Sequence, residues 1–353
     1  MQEKLQLLKE KMLEGVNTGV FPGTTYAVIL DQDIYVDCVG YKSLYPTREI
    51  NDLTTLYDIA SLSKVLVTNV LISQMLEEKI IYLDDKVIKF FPSFMHDDIT
   101  ILDLLTHSSG LPANIDWINI KSREYYIDAI FHTEKIYING SKAVYSDIGF
   151  IILGLIIERV LNESLDIIAK KRIFSQLDMN NTLYNPKDIT SCAPTSKEGN
   201  VYLRGVAHGK KTQLFNGVVG HAGVFSTITD MTKFVQMILN NGNYKNNQIV
   251  SPDIIELWFK PQIKDIDGFY HGLGWISGEN KLIGKYTSDH TIYHAGFTGT
   301  RILVDQQNKL GFVLLSNCIH STGNNKKLRK FRKEIIDYVY ELFIIDKVRK
   351  TNK

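Results

Sequence analysis

The sequence predicts an α+β fold in which an antiparallel sheet is flanked by helices and joined to an all-helical lobe. Strand-like segments occur near both ends of the chain, and helical patterns fill the middle. The composition is that of a globular protein, with 44% hydrophobic and 22% charged residues among 353. No repeat or low-complexity linker separates the segments, so we expect one two-lobed chain in which the terminal segments share a sheet.

The first strand-like segments follow an amphipathic helix at the amino terminus. MQEKLQLLKEKMLEG alternates charges with an apolar stripe, and a Phe-Pro-Gly turn follows it. Residues 24–30 and 34–39 have the apolar, β-branched pattern of strands. The short polar connection between them predicts an antiparallel hairpin.

Helical patterns begin near Ser61 and recur to residue 259, with long loops expected over 185–223. From Gly272 onward, short alternating runs predict strands, and an amphipathic helix closes the chain. We therefore expect a discontinuous sheet subdomain at 1–79 and 266–353, and a mainly helical subdomain at 80–265.

Charge and cysteine content exclude several classes of function. Forty basic and 39 acidic residues leave a formal net charge of +1, so no global field favours nucleic acid or an anionic membrane. Cys38, Cys192 and Cys318 are odd in number and far apart, which argues against a disulfide framework and a thiolate zinc site. The apolar runs are too short to span a bilayer, and the first helix lacks the apolar core of a signal peptide. These features predict a cytoplasmic protein.

The sharpest chemical signal is the tetrapeptide SLSK at 61–64, at the opening of an apolar helix. Its spacing places Ser61 and Lys64 on the same helix face. A serine hydroxyl needs a nearby base to act as a nucleophile, and a desolvated lysine can serve. The alternative is that Ser61 only caps the helix and Lys64 is solvated.

Two further elements carry chemistry. The tripeptide YSD at 145–147 precedes a buried helix, where a tyrosine near an ammonium group can carry a proton. HAGFTG at 294–299 ends a strand pattern, and its glycines allow a close backbone approach to a ligand while an N–H serves as an oxyanion donor. The alternatives are a tyrosine packed in the core and a plain glycine-bearing turn.

These three elements, in this order, resemble the class C β-lactamase and penicillin-binding-protein-like serine hydrolases. That family also contains esterases and D-stereospecific peptidases. The resemblance covers nearly the whole chain, because similar runs occur in the family at FPGTTYAVIL, LDDKVIKFFPSF, ITILDLLTHSSGLP, GHAGVFSTITDMTKF and GLGW. It implies a β-lactamase/transpeptidase-like fold, with the active site in the groove between the sheet and the helical subdomain.

The resemblance also implies catalytic roles. Ser61 corresponds to the nucleophile that forms the acyl-enzyme, and Lys64 to its hydrogen-bonded partner. Tyr145 corresponds to the tyrosine that shuttles the proton. By position, the backbone N–H groups of Ser61 and Phe297 form the oxyanion hole. The implied reaction is a two-step acyl transfer from an ester or amide to water.

Two residues of the implied substrate-binding set depart from the family pattern. His294 stands where classic β-lactamases have a lysine, so the strand edge that continues through Ala295 and Gly296 carries at most a partial charge near neutral pH. Asp147 stands where an asparagine is usual, which adds an anion near Lys64 and favours its protonated form. More of the base role then passes to Tyr145.

The departures favour an esterase-like hydrolase of small esters or amides over an efficient β-lactamase. A weak β-lactamase or penicillin-binding D-peptidase remains the alternative, as does a non-catalytic relative that binds a ligand in the cleft. The sequence leaves the oligomeric state open.

No metal or cofactor site is predicted. His290 and His294 lack a third ligand, and the spacing in GVAHGKK at 205–211 is wrong for a phosphate loop. The basic run at 326–333 has the alternation of a solvated helix face packed on the sheet rather than a nucleic-acid site. By the resemblance, His107 and His221 have structural roles that shape the cleft.

Overall fold

The computed structural model describes residues 1–115, 122–278, 282–320 and 326–345. Within these ranges the α-helices are α1 (Gln2–Asn17), α2 (Asn69–Glu77), α3 (Val87–Phe90), α4 (Ile101–Leu105), α5 (Arg123–Phe131), α6 (Asp147–Leu161), α7 (Leu165–Ala169), α8 (Lys210–Leu214), α9 (Ile228–Leu239), α10 (Pro252–Phe259) and α11 (Lys326–Tyr340). Three segments are π-helical: π1 (Lys64–Thr68), π2 (Lys170–Phe174) and π3 (Glu341–Ile345).

The strands of the same ranges are β1 (Gly23–Leu30), β2 (Asp33–Ser43), β3 (Glu49–Ile50), β4 (Tyr57–Asp58), β5 (Leu183–Tyr184), β6 (Lys197–Glu198), β7 (Val201–Tyr202), β8 (Val224–Ser226), β9 (Asn243–Tyr244), β10 (Asn247–Gln248), β11 (Ile263–Lys264), β12 (Tyr270–His271), β13 (Ile276–Ser277), β14 (Thr291–Ala295), β15 (Arg301–Asp305) and β16 (Leu310–Ser316). The predicted hairpin of two strands near the amino terminus is confirmed as β1 and β2.

Nine of these strands form one sheet, in the order β11-β12-β13-β14-β15-β16-β1-β2-β3. Each described neighbouring pair is antiparallel, and the two ends of the chain meet where β1 pairs with β16. Thr24 lies opposite Ser316 in that pair. The prediction that the terminal segments share one antiparallel sheet is confirmed.

Both faces of the central strands are buried, which explains why they are apolar throughout. Side chains of a strand alternate between faces. In β1, Ala27 and Ile29 pack into the core shared with the helices of the middle segment, whereas Tyr26 and Val28 pack into a second core. The second core contains apolar residues of α1 and α11, among them Leu8, Met12, Leu328, Phe331 and Ile335.

The boundary between the two predicted subdomains stays a prediction. Helix α9 belongs to the segment 80–265, yet it packs against β1, β15 and β16. Strand β11, at 263–264, is part of the nine-stranded sheet. These contacts favour placing the second boundary ahead of residue 228.

No helix of the described ranges is long and apolar enough to cross a bilayer. In those ranges, no group of three or more His, Cys, Asp or Glu side chains is placed to hold a metal ion. Cys38, Cys192 and Cys318 are free thiols, and burial raises the pKa of each.

A close backbone contact positions the loop that precedes β8. A Cβ atom at Gly220 would lie 2.2 Å from the carbonyl oxygen of Phe150 on α6, so only glycine fits at this crossing. The Thr68 hydroxyl donates to the Gly220 carbonyl oxygen at 2.6 Å. Helix α6, segment π1 and this loop therefore meet at one point, next to Lys64.

Candidate active site

Ser61 presents an accessible hydroxyl next to a buried lysine. Lys64 Nζ donates to Ser61 Oγ at 3.0 Å, and the Lys64 side chain is completely buried, whereas Ser61 is partly exposed. Ser63 is fully buried, and its hydroxyl donates to the Ala60 carbonyl oxygen at 2.7 Å. The geometry thus favours Ser61 over Ser63 as a nucleophile.

The residue before Ser61 has an unfavourable backbone conformation. Ala60 has φ of 48°, in the left-handed region that costs a non-glycine residue on the order of 1 kcal/mol. One Asp58 carboxylate oxygen accepts from the Ala60 N–H at 2.8 Å, and the other accepts from the His208 N–H at 2.7 Å. Burial raises the pKa of Asp58 to about 6. Asp58 therefore holds the turn that presents Ser61.

The Lys64 ammonium has several partners. Besides Ser61, it donates to Asp147 Oδ1 at 2.8 Å and to the His221 carbonyl oxygen at 3.3 Å. It also lies 4.8 Å from the centroid of the Tyr145 ring. Burial alone lowers the pKa of Lys64, but the attraction of Asp147 and Tyr145 outweighs it and raises this pKa. The ammonium form is favoured at neutral pH.

Asp147, the first residue of α6, contacts a second lysine. Its Oδ2 accepts from the Lys211 ammonium, which also donates to the Asn114 side chain. Burial alone raises the pKa of Asp147, but the electrostatic effects of Lys64, His221 and Lys211 hold this pKa well below its usual range. Sequence reasoning missed Lys211, because it assigned GVAHGKK to a loop without a role.

Tyr145 is held by a buried histidine. Its ring centroid lies 4.6 Å from that of His107, and 40% of its surface is exposed. His107 Nδ1 accepts from the Ser146 backbone N–H at 3.1 Å, and burial keeps the pKa of His107 well below its usual value. The neutral ring therefore fixes the YSD segment, which agrees with the structural role expected for His107.

His294 lies on β14 with 3% of its surface exposed. Its ring centroid is 6.1 Å from that of Tyr145 and 6.4 Å from that of Trp275. Burial and the nearby Lys64 ammonium lower the pKa of His294 to about 3. The imidazole is therefore neutral across the physiological pH range.

The turn after β14 is bound to the segment before Ser61. Thr298 Oγ1 donates to the Asp58 carbonyl oxygen at 2.7 Å, and Thr300 Oγ1 donates to that of Ile59 at 2.9 Å. These bonds bring the edge at 295–297 beside residues 58–60, which precede Ser61. The Phe297 ring is partly exposed and stacks on His208 at 5.2 Å. A pair of oxyanion donors from Ser61 and Phe297 stays a prediction.

A sequence profile of the beta-lactamase family matches residues 8–336 of the chain. The chain belongs to the beta-lactamase family. Members of this family are serine hydrolases, so the prediction of a serine hydrolase is confirmed.

A similar relative, the N-acetylmuramyl-L-alanine amidase of Bacillus subtilis (strain 168), is 29% identical over 358 residues, covering 88% of this chain and 80% of the relative. A putative D-alanyl-D-alanine carboxypeptidase of Escherichia coli (strain K12) is 27% identical over 365 residues, covering 90% and 83%.

Two solved structures share the fold. A class C beta-lactamase superposes with a TM-score of 0.77 at 21% identity, covering 95% of this chain and 96% of that structure. EstCE1, described as a hydrolase with promiscuous acyltransferase activity, superposes with the same TM-score at 17% identity, covering 94% and 98%. The predicted β-lactamase/transpeptidase-like α+β fold is therefore confirmed.

Proposed function

We propose that this beta-lactamase family member hydrolyses a small ester or amide through an acyl-Ser61 intermediate, with esterase-like specificity. The observation that carries the proposal is the 3.0 Å hydrogen bond between Lys64 Nζ and the accessible Ser61 Oγ. A serine becomes a nucleophile when a neighbouring group can take its proton. Lys64 is in contact with that hydroxyl, and Tyr145 lies beside Lys64.

In the proposed first step, Ser61 Oγ bonds to the substrate carbonyl carbon while its proton passes to the Lys64–Tyr145 pair. Because Asp147 favours the ammonium form of Lys64, Lys64 must first release a proton before its uncharged amine can accept the one from Ser61. The Tyr145 hydroxyl beside it then relays a proton to the leaving group. The bond to the alcohol or amine then breaks, and the leaving group receives the proton. In the second step water attacks the acyl carbon, and Ser61 regains its proton.

The oxyanion of each tetrahedral intermediate would accept hydrogen bonds from the backbone N–H groups of Ser61 and Phe297. Such donors act strongly when they are held in place before the reaction. The bonds from Thr298 and Thr300 to the segment before Ser61 support this role, since they hold the two sides together. The edge formed by Ala295 and Gly296 would bind the acyl group.

The proposed substrate class follows from His294. A neutral, buried imidazole offers one donor and one acceptor, whereas a lysine ammonium would hold a full positive charge against a carboxylate. Substrates without a carboxylate next to the scissile bond are therefore favoured.

A second candidate is amide cleavage of a D-alanyl or muramyl peptide, which the names of the two relatives favour. The two candidates differ in whether the substrate carries a free carboxylate or a neutral ester. The purified enzyme is given p-nitrophenyl acetate, a D-alanyl-D-alanine peptide and nitrocefin at pH 8, and kcat/KM is measured for each.

We expect the neutral ester to have the highest kcat/KM. Faster turnover of the peptide would establish the second candidate. Efficient hydrolysis of nitrocefin would refute the preference for substrates without a carboxylate, because His294 is uncharged at this pH.

A further inference from the structure

Asp147 bridges two ammonium groups, one on each carboxylate oxygen. Oδ1 accepts from Lys64 Nζ at 2.8 Å, and Oδ2 accepts from Lys211. All three side chains are largely shielded from water, with exposed fractions of 0% for Lys64, 17% for Lys211 and 21% for Asp147. Charges interact more strongly where water is largely excluded, so this chain of ion pairs is coupled.

The charges of Lys64, Asp147 and Lys211 show what Lys211 contributes. With Lys64 protonated, these two ammonium groups and one carboxylate have a net charge of +1. If Lys211 were absent, Asp147 would act on Lys64 alone and the net charge would be zero. The ammonium form of Lys64 would then be favoured more strongly, because both a repelling cation and a competitor for Asp147 are lost.

The other titratable groups near Lys64 and Asp147 supply no compensating cation near pH 7. They are Tyr126 on α5, Tyr145 before α6, His107 after α4, His221 before β8, His294 on β14 and, behind His107, His271 on β12. Burial lowers the pKa of each of these histidines, to about 3 for His221 and His294. Among the described groups, Lys211 is thus the cation that shares Asp147 with Lys64.

We propose that Lys211 is a positioning residue for the acyl-transfer reaction: by binding Asp147 Oδ2, it weakens the hold of Asp147 on Lys64 and lets Lys64 release its proton. This inference rests on the proposed function of Ser61 and Lys64. Lys211 does not touch Ser61 in the described contacts and acts through Asp147.

The neighbouring lysine provides a matched control. Lys210 lies on the same short helix, but its ammonium pairs with Glu198 at 2.6 Å, and its side chain is 48% exposed. Lys210→Met therefore removes the same charge one residue away without touching Asp147. A second comparison is the double variant Asp147→Asn/Lys211→Met, in which Lys64 alone supplies the net charge of +1.

The experiment measures the rate at which a fluorophosphonate labels Ser61 between pH 5 and pH 10. In Lys211→Met we expect the pH of half-maximal rate to rise by about one unit, and in Lys210→Met to stay at the wild-type value. In the double variant, the pH dependence of the labelling rate should return towards that of the wild-type enzyme. Lys211→Arg should keep the wild-type pH dependence, because it retains the positive charge at position 211.

The outcomes separate this inference from the proposed function. If the wild-type enzyme is not labelled at Ser61, the proposed function fails. If Ser61 is labelled normally but Lys211→Met leaves the pH profile unchanged, the inference is overturned, even where the variant unfolds at a lower temperature. An upward shift that persists in the double variant also overturns it, since the effect would then not run through Asp147.

Discussion

Gly296 packs directly against the carbonyl oxygen of Ile59. A Cβ atom at position 296 would lie 2.6 Å from that oxygen and 2.2 Å from the Thr300 hydroxyl, so the approach requires glycine. The contact places the end of β14 beside the turn that precedes Ser61. The end of β14 and the turn before Ser61 are therefore held as one unit.

Replacing Thr300 by valine tests this unit. Thr300 is fully buried, and its hydroxyl is a hydrogen-bond donor to the Ile59 carbonyl oxygen. Valine keeps the shape but removes that donor, which costs about 1–3 kcal/mol of unfolding free energy when the acceptor stays buried. We expect this loss in urea unfolding, together with a lower kcat for ester hydrolysis. Thr18→Val, at an exposed helix end, should change the unfolding free energy and kcat by little. If Thr300→Val keeps the stability and kcat of the wild-type protein, the coupling between the end of β14 and the turn before Ser61 is contradicted.

Tyr145→Phe tests proton transfer. The substitution removes only the phenol oxygen. The centroid of the Tyr145 ring lies 4.8 Å from Lys64 Nζ. We expect kcat to fall by about 10²-fold or more, with a smaller change in KM, as for the loss of a positioned acid–base group. Tyr125→Phe, at a tyrosine on α5 that is 71% exposed, is the matched control. An unchanged kcat in Tyr145→Phe would remove Tyr145 from the mechanism.

Stability should fall as the pH is lowered from 7 to 5. The folded chain holds His221 and His294 neutral, with pKa values near 3, whereas the unfolded chain protonates them near pH 6.5. The unfolded state therefore binds more protons below pH 6.5, and each histidine reduces the unfolding free energy by about 2 kcal/mol at pH 5. Asp58 works in the opposite direction, since its pKa is raised to about 6, but it is one group, and burial also lowers the pKa of His107, His208, His271 and His320.

The check is urea unfolding at pH 7 and pH 5. Between pH 7 and pH 5, the unfolding free energy of His294→Gln should fall by less than that of the wild-type protein, because one buried imidazole is gone. His132→Gln, at an exposed histidine, should show the wild-type loss. Equal losses in His294→Gln and wild type would mean that His294 is not held neutral by the fold.

His294→Lys tests the substrate preference. The new ammonium would face a substrate carboxylate, with a gain on the order of 1 kcal/mol if it is partly desolvated. We expect the ratio of kcat/KM for nitrocefin to that for p-nitrophenyl acetate to rise about fivefold. His294→Met, which restores no charge, should leave the ratio low. A wild-type ratio that rises steeply below pH 6.5 would show that imidazolium already acts as the cation.

Local patterns predicted much of this structure. Helical spacing placed Ser61 and Lys64 on one face, and the structure has their side chains 3.0 Å apart. Strand patterns at both ends predicted a shared sheet, because apolar runs of five to eight residues need a partner on each side. Such signals lie within a few neighbouring residues and need no knowledge of distant contacts.

The rest depends on contacts between distant residues. Lys211 is 64 positions from Asp147 and lies on a helix of five residues, too short for a periodic pattern. Asp58 binds His208 from 150 positions away. No local pattern indicates such pairs, so they emerge only when the loops at 185–223 are placed against the helices.

The measurement that tests the account most directly is the position of a covalent fluorophosphonate adduct, found by intact-mass analysis and peptide mapping. We expect a single adduct on Ser61 that is absent in Ser61→Ala. The adduct should be retained in Ser63→Ala, because Ser63 is fully buried in the wild-type protein. An adduct on Ser63 or another residue, or labelling that persists in Ser61→Ala, would contradict the assignment of Ser61 as the nucleophile.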